Sequence, residues 1–285
     1  MTFNIFHDAA SAQFGIEPWD VRRGLVAATI AESEADVVGL QEAYPWQVEW
    51  LEGELPGYAH VGRGRNADGS GESVAILFRA DRFTLEESGH FWLSPTPDEP
   101  GSSGGDAWGG MRVPRVVTWA RLGFGADDRE VYVFNTHLPA NDSGGPEARR
   151  QTAIVLAERI AARSRPDVPF VLLGDFNSAE DEFPIRYLKR EASSSGEPLS
   201  PVAVVDSWRV LNAGGAGTRC RNDATGAAMV HGTRVDYVLV MDTTRVDEDG
   251  VDRSTADGVL ASVAVTPTAS CASDHLAVWS RFVVP

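Results

Sequence analysis

Val171-Leu172-Leu173-Gly174-Asp175-Phe176-Asn177 is a short apolar run that stops at a glycine and then offers a carboxylate and an amide two residues apart. Such a run reads as a buried strand. Side chains two residues apart in an extended chain leave it on the same side, so Asp175 and Asn177 are aimed together from the strand's end. Further along, Ser273-Asp274-His275 sets an acid beside an imidazole just before another apolar run. One of the two could ligate a metal while the other handles a phosphoryl oxygen.

Outward from that stretch, strand-like runs fall near residues 2–6, 36–40, 58–62, 73–79, 83–93, 114–122, 130–136, 168–173, 202–206, 234–240, 259–265 and 276–283. Helical patterns fall near 20–33, 45–54, 146–163 and 181–191, the third being the clearest, with Val155, Leu156 and Ile160 on one face. Strands dominate, with helices spaced between them. Two sheets packed face to face with helices covering the outsides accommodate that ordering better than a single parallel sheet. With 285 residues and 43% hydrophobic content the chain can bury one large core, and one domain over residues 1–285 is expected.

Composition narrows the function. A net charge of −16 opposes attraction to a polyanion, so nucleic acid is a disfavoured partner. The basic residues are nearly all arginine, with Lys189 the only lysine. A basic cleft would need arginines such as Arg63, Arg65, Arg112 and Arg115 to cluster. No run approaches bilayer length and the start carries no basic segment followed by an apolar stretch, so a cytoplasmic protein with no membrane contact is expected. The two cysteines, Cys220 and Cys271, lack zinc-site spacing and read as free, partly buried thiols, a bridge between them being the lesser alternative.

Some segments are punctuation. Residues 94–113, rich in Pro and Gly around Trp108, read as a mobile rim near a site. Residues 193–201 and 212–228 read as connections, and 242–257 as an acidic solvated hairpin without calcium-loop spacing. Gly62-Arg63-Gly64-Arg65-Asn66-Ala67 matches a dinucleotide fingerprint, but Asp68-Gly69-Ser70-Gly71 follows where a helix is required. Gly101-Ser102-Ser103-Gly104-Gly105 matches a nucleophile elbow but has neither the strand before it nor the helix after it.

Other strand ends carry chemistry. Asp36-Val37-Val38-Gly39-Leu40-Gln41-Glu42 is a buried strand ending in a carboxylate, and Asn4 closes another. Hard oxygen donors at strand ends suit magnesium or manganese, and Glu42 is the first candidate ligand; alone, it would read as an ordinary charge at the start of the next helix. Val131-Tyr132-Val133-Phe134-Asn135-Thr136-His137-Leu138 ends in a polar triplet, although a lone histidine there more often packs. Arg234-Val235-Asp236-Tyr237 places a carboxylate at a strand's entrance, either a turn residue or the group that fixes the tautomer of His275.

Asn4, Glu42, Asn135-Thr136-His137-Leu138, Gly174-Asp175-Phe176-Asn177, Arg234-Val235-Asp236-Tyr237 and Ser273-Asp274-His275 together resemble, in order and approximate spacing, the endonuclease/exonuclease/phosphatase superfamily. The resemblance spans essentially the whole chain. Phe91-Trp92-Leu93-Ser94-Pro95-Thr96-Pro97 and Pro114-Arg115-Val116-Val117-Thr118-Trp119-Ala120 look like a largely bacterial branch of it. The resemblance implies a four-layer α/β/β/α sandwich of two mainly antiparallel sheets, and a divalent-metal-dependent attack of water on a phosphate ester. It implies that Glu42 and Asp274 hold Mg2+ or Mn2+, with Asn4 assisting through the metal's water shell. Asp175 would take the proton of the attacking water and Asn177 would position that water or a phosphate oxygen. His275, oriented by Asp236, and His137 would stabilise developing charge.

At the substrate, Arg112 and Arg115 could clamp a phosphate, with a surface ion pair an equal alternative, and Trp108 could stack a planar group. His7 stands where relatives often place a basic residue and could alter substrate contacts. His60, His90 and His231 read as structural or surface residues. A small phosphorylated metabolite is the preferred substrate, a nuclease the alternative, and a non-catalytic binding protein the least favoured reading.

Overall fold

Alternation of side chains along single strands sorts this chain into layers. Along Phe170–Asp175, Phe170 and Leu172 join one cluster while Val171 and Leu173 join another, as the two-residue period of an extended chain dictates. Residues 1–8, 15–126, 129–191, 199–211, 217–222, 228–242, 261–262 and 271–280 are described in this computed structural model. In chain order the elements are β1 (Thr2–Asn4), α1 (Trp19–Ser33), β2 (Val37–Gln41), α2 (Pro45–Glu54), β3 (Tyr58–Val61), β4 (Ile76–Arg79) and β5 (Phe83–Trp92). Then come β6 (Val116–Phe124), β7 (Arg129–His137), α3 (Gly145–Ala161), β8 (Phe170–Asp175), α4 (Phe183–Leu188), β9 (Val204–Asp206) and α5 (Ser207–Leu211). The last are β10 (Arg219–Asn222), β11 (Ala228–His231), β12 (Asp236–Met241), β13 (Ala261–Ser262) and β14 (Val278–Trp279).

One sheet runs β13-β14-β1-β2-β4-β3 and the other β5-β6-β7-β8-β12-β9. Only β1–β2 and β7–β8 pair in parallel among these neighbours. Between the sheets, Ile76 and Phe78 of one meet Leu122, Val133, Val171, Leu173 and Val238 of the other. On one outer face, Val26, Ile30, Val48 and Leu51 of α1 and α2 cover Phe3, Val38, Leu40 and Leu77. On the opposite face, Leu156, Ile160, Ile185 and Leu188 of α3 and α4 cover Phe134, Phe170, Leu172 and Leu239. Each such side chain contributes about 2 kcal/mol by leaving water. The layers are those of the expected α/β/β/α sandwich.

The space between the sheets is not wholly apolar. The Asn135 amide, fully buried, donates to the carbonyls of Leu40 and Ala75, 2.8 Å each, and accepts from Gln41 Nε2 at 2.6 Å. It reaches the facing sheet because Gly39 leaves room; a Cβ there would lie 2.8 Å from Asn135 Cγ.

Several expectations are corrected. β10 lies inside the 212–228 stretch read as a connection and pairs antiparallel with β11, which starts at its end, because strands of four residues carry little period-two signal. The 94–113 loop is anchored rather than loose: Ser94 and Met111 are fully buried, and Gly105 N donates to Met111 O at 2.8 Å. Cys271 is not a free thiol but half of a disulfide, and Cys220 is the sequence's other cysteine. The 242–257 hairpin, apart from Asp242, and most of the 259–265 strand lie outside the described residues. No described helix is long and apolar enough to cross a membrane.

Candidate active site

Strand register assembles the centre of the site. β7 and β12 flank β8, with His137 paired to Asp175 and Asp175 paired to Asp236. The three side chains therefore stand in a row across neighbouring strands. Asp175 shares the phase of Val171 and Leu173, and Asp236 that of Val238, so both face the opposite sheet. Asn4, at the end of β1 in that sheet, donates through Nδ2 to Asp175 Oδ2 at 3.0 Å and to Glu42 Oε1 at 2.9 Å. Its Oδ1 accepts from Phe6 N at 3.0 Å, which fixes the amide's orientation.

Glu42 and Asn177 directly follow or nearly follow strand ends and have φ of 60° and 45°. Non-glycine residues tolerate that left-handed region at a cost, which local contacts must hold. For Asn177 those contacts are its N–H to Asp175 Oδ1 at 2.8 Å and its Nδ2 to Leu138 O at 3.0 Å.

The Ser273-Asp274-His275 segment is fastened by Ser273, whose Oγ donates to Asn4 O at 2.6 Å and accepts from His275 N at 3.2 Å. His275 Nδ1 is 2.8 Å from Asp236 Oδ2, and its Nε2 is 3.6 Å from Asp175 Oδ2. Burial works against a charged ring here, but Asp236, Asp175 and Asp274 outweigh it and push the His275 pKa up to about 10. His137 goes the other way: burial, then Arg115, His275, Arg65 and Arg219, hold it well below its ordinary value. Neighbouring charges thus favour the charged ring at His275, and burial favours the neutral ring at His137, whose Nε2 lies 3.0 Å from Asn177 Nδ2. Burial and the neighbouring Asp236 raise the Asp175 carboxyl, opposed by His275, Arg219 and the Asn177 N–H.

A cavity beside this row is lined by Glu42, Arg65, Glu72, Arg115 and His137, among others. Arg115 is buried and its Nε has no protein partner. Arg65 grips Glu72 through two hydrogen bonds, of 2.6 and 3.0 Å.

The donor set fits a divalent cation. Burial raises the Asp274 carboxyl, and Glu42 and Asp175 raise it further while His275 and Arg219 oppose. Carboxylate oxygens crowded in this way are relieved by a divalent cation. Asp175, Asp236 and His275 each also offer a ligand atom, all within 4.8 Å of one another, and that set could hold a metal, although His275 Nδ1 is already engaged by Asp236.

Of the expected site residues, the fold brings together Asn4, Glu42, His137, Asp175, Asn177, Asp236, Asp274 and His275, with Arg115 facing the adjoining cavity. His7 stacks on Phe6 at 4.3 Å, lies 3.8 Å from Asp8 and acts electrostatically on Glu72. Arg112 and Trp108 are not brought in. Arg112 is exposed and pairs with Asp106, the ion-pair alternative. Trp108 packs on Met111 and Ala148 because its loop folds down over α3. The arginines do not merge into a groove: Arg65 and Arg115 converge, whereas Arg63 lies over Trp92 at 5.4 Å. Sequence reading missed Arg219, whose guanidinium lies 3.5 Å from Asp274 Oδ2 and 3.4 Å from Asn177 Oδ1. Nothing local marks it, since only the unforeseen hairpin delivers it there.

A buried acid–imidazole pair, a second acid beside it and arginines facing one cavity, set at the strand ends of a four-layer sandwich, define a phosphoric ester hydrolase by class. The chain belongs to the Endonuclease/Exonuclease/phosphatase family, whose profile matches residues 1–275. No curated protein matches it in sequence. Among solved structures it is similar to the mannosyl-6-phosphatase of Bacteroides thetaiotaomicron VPI-5482, with 26% identity, a TM-score of 0.74, and coverage of 99% of this chain and 98% of that one. It shares the fold of the human Nocturnin catalytic domain with bound sulfate, at 18% identity and TM-score 0.68, covering 99% and 93%. It also shares the fold of D. rerio TDP2 complexed with a single-strand DNA product, at 17% identity and TM-score 0.64, covering 98% and 96%.

Proposed function

We propose that the chain is a Mg2+- or Mn2+-dependent phosphoesterase that hydrolyses a small phosphorylated metabolite by direct attack of water. The observation that carries this reading is the row His137–Asp175–Asp236 with His275 held 2.8 Å from Asp236, beside a cavity walled by Arg115. Glu42 and Asp274 would hold the divalent cation, which would supply Lewis-acid chemistry when bound. Asp175, its basicity raised by burial, takes the proton of the attacking water. Asn177 positions that water, and Asn4 keeps Asp175 and Glu42 in register through its shared amide. As the water O–P bond forms and the ester P–O bond breaks, the His275 imidazolium, oriented by Asp236, stabilises charge through Nε2. His137, being neutral, contributes a dipole only. No side chain is called on as a covalent nucleophile.

The acidic balance, −16 overall, weighs against a nuclease, and the similarity to a mannosyl-6-phosphatase supports a phosphorylated small molecule. The test is hydrolysis of a panel of phosphate mono- and diesters, nucleotides and oligonucleotides with magnesium, manganese or EDTA. Metal-dependent release of phosphate from a small ester, little affected by salt, is expected; a preference for oligonucleotides that falls steeply with salt replaces this reading with the nuclease.

A further inference from the structure

Arg219 enters the site on a backbone pinned from two sides. The neighbouring Thr218, buried, accepts at Oγ1 from the amides of Val235 at 3.1 Å and Asp236 at 3.4 Å, and its carbonyl accepts from Leu276 N at 2.7 Å. Arg219 itself bridges to His275 across an isolated antiparallel pairing. From this fixed base its guanidinium spans Asp274 Oδ2, at 3.5 Å, and Asn177 Oδ1, at 3.4 Å. Those distances are long for charge-assisted hydrogen bonds, so a better anionic acceptor placed between them would compete well for the same N–H groups. The acceptors it touches are the proposed metal ligand and the proposed water-positioning amide, so that acceptor is a phosphoryl oxygen. Arg115 lines the adjoining cavity, and its Nε has no hydrogen-bond partner. Arg65, Arg115 and Arg219 all act electrostatically on the buried His137.

We propose that Arg219 is a phosphoryl-contacting residue which, with Arg115, selects a terminal phosphate monoester over a diester. A monoester carries close to two negative charges at neutral pH and leaves three oxygens free, whereas a diester carries one charge and leaves two. A metal ion, His275, Arg115 and Arg219 together match the monoester, and esterifying one more oxygen leaves a guanidinium without an acceptor. Arg219 also supplies the planar fork that binds two oxygens at once, which a lysine cannot copy. This deepens the phosphoesterase reading and rests on it for the substrate class, not for the contact itself.

The experiment has two readouts on the full chain: binding of inorganic phosphate by calorimetry with Mg2+ present, and turnover of para-nitrophenyl phosphate against bis(para-nitrophenyl) phosphate. Arg219→Gln is expected to weaken phosphate binding by about tenfold or more. It is expected to lower monoester kcat/KM about a hundredfold, with a clearly smaller loss on the diester. Arg219→Lys, which keeps the charge, guards against a misfolded Gln variant and is expected to lower the monoester-to-diester ratio as well. Phosphate affinity unchanged in both variants, or equal losses on both esters, overturns the proposal. A wild type that binds phosphate through Arg219 yet hydrolyses neither ester overturns the hydrolase reading and leaves the contact standing.

Discussion

Asp175 is the residue on which the chemistry turns. Its carboxylate is buried, hydrogen-bonded by Asn4 and by the Asn177 amide, and flanked by an imidazole on either side at 3.6 Å. Asp175→Asn keeps the shape and removes the base, so kcat is expected to fall about 10²- to 10⁴-fold; turnover equal to wild type removes Asp175 from the mechanism. The sequence exposes this residue because a strand that ends in Gly-Asp-Phe-Asn aims a carboxylate and an amide the same way. Trp108 shows the opposite case. An aromatic in a Gly- and Pro-rich loop looks free to stack on a ligand, yet its ring is covered by Met111 and Ala148, a contact that depends on where α3 lies.

At the scale of elements, the end of β1 is tied to the segment before Ser273 by a buried arginine. Arg22 on α1 donates to the carbonyls of Ile5, Phe6, His7 and Ala272. Burial lowers its pKa to about 10, which leaves it charged at neutral pH. Arg22→Leu strands those acceptors, and a destabilisation of roughly 3–5 kcal/mol is expected in a denaturant titration. Gly39→Ala makes a related point between sheets: the new Cβ, 2.8 Å from Asn135, forces the amide off its partners, at about 1–3 kcal/mol. A Gly39→Ala protein as stable as wild type removes close approach as the reason for that glycine. Periodicity announces β2 and α1 separately, but neither the Arg22 clamp nor the Gly39–Asn135 contact is readable in it, because each joins segments far apart in sequence.

For the whole molecule, charge and burial combine in His90 on β5. Burial, and after it Arg63, lowers its pKa from 6.5 to about 4. A depressed histidine favours folding while it stays neutral. Its contribution is therefore full above pH 6.5 and is lost as pH falls from about 6.5 to about 4, where the unfolded chain binds the extra proton. The loss is bounded by about 3 kcal/mol, and His90→Gln is expected to flatten the acid limb of a stability–pH curve; an unchanged limb places the acid sensitivity elsewhere.

The sequence by itself determined the layers. Strand runs, helix faces and strand-end acids are local patterns, and an apolar face of fixed period has few places to go except against another such face. It also supplied the residues of the acid–imidazole row, since each ends or opens a strand. Only the tertiary structure decided the register that sets His137, Asp175 and Asp236 abreast, the hairpin that brings Arg219 to Asp274, and the outward turn of Arg112 toward Asp106. The first two depend on which strands pair and at what offset, and hydrogen bonding between strands distant in the chain leaves no local trace in either partner.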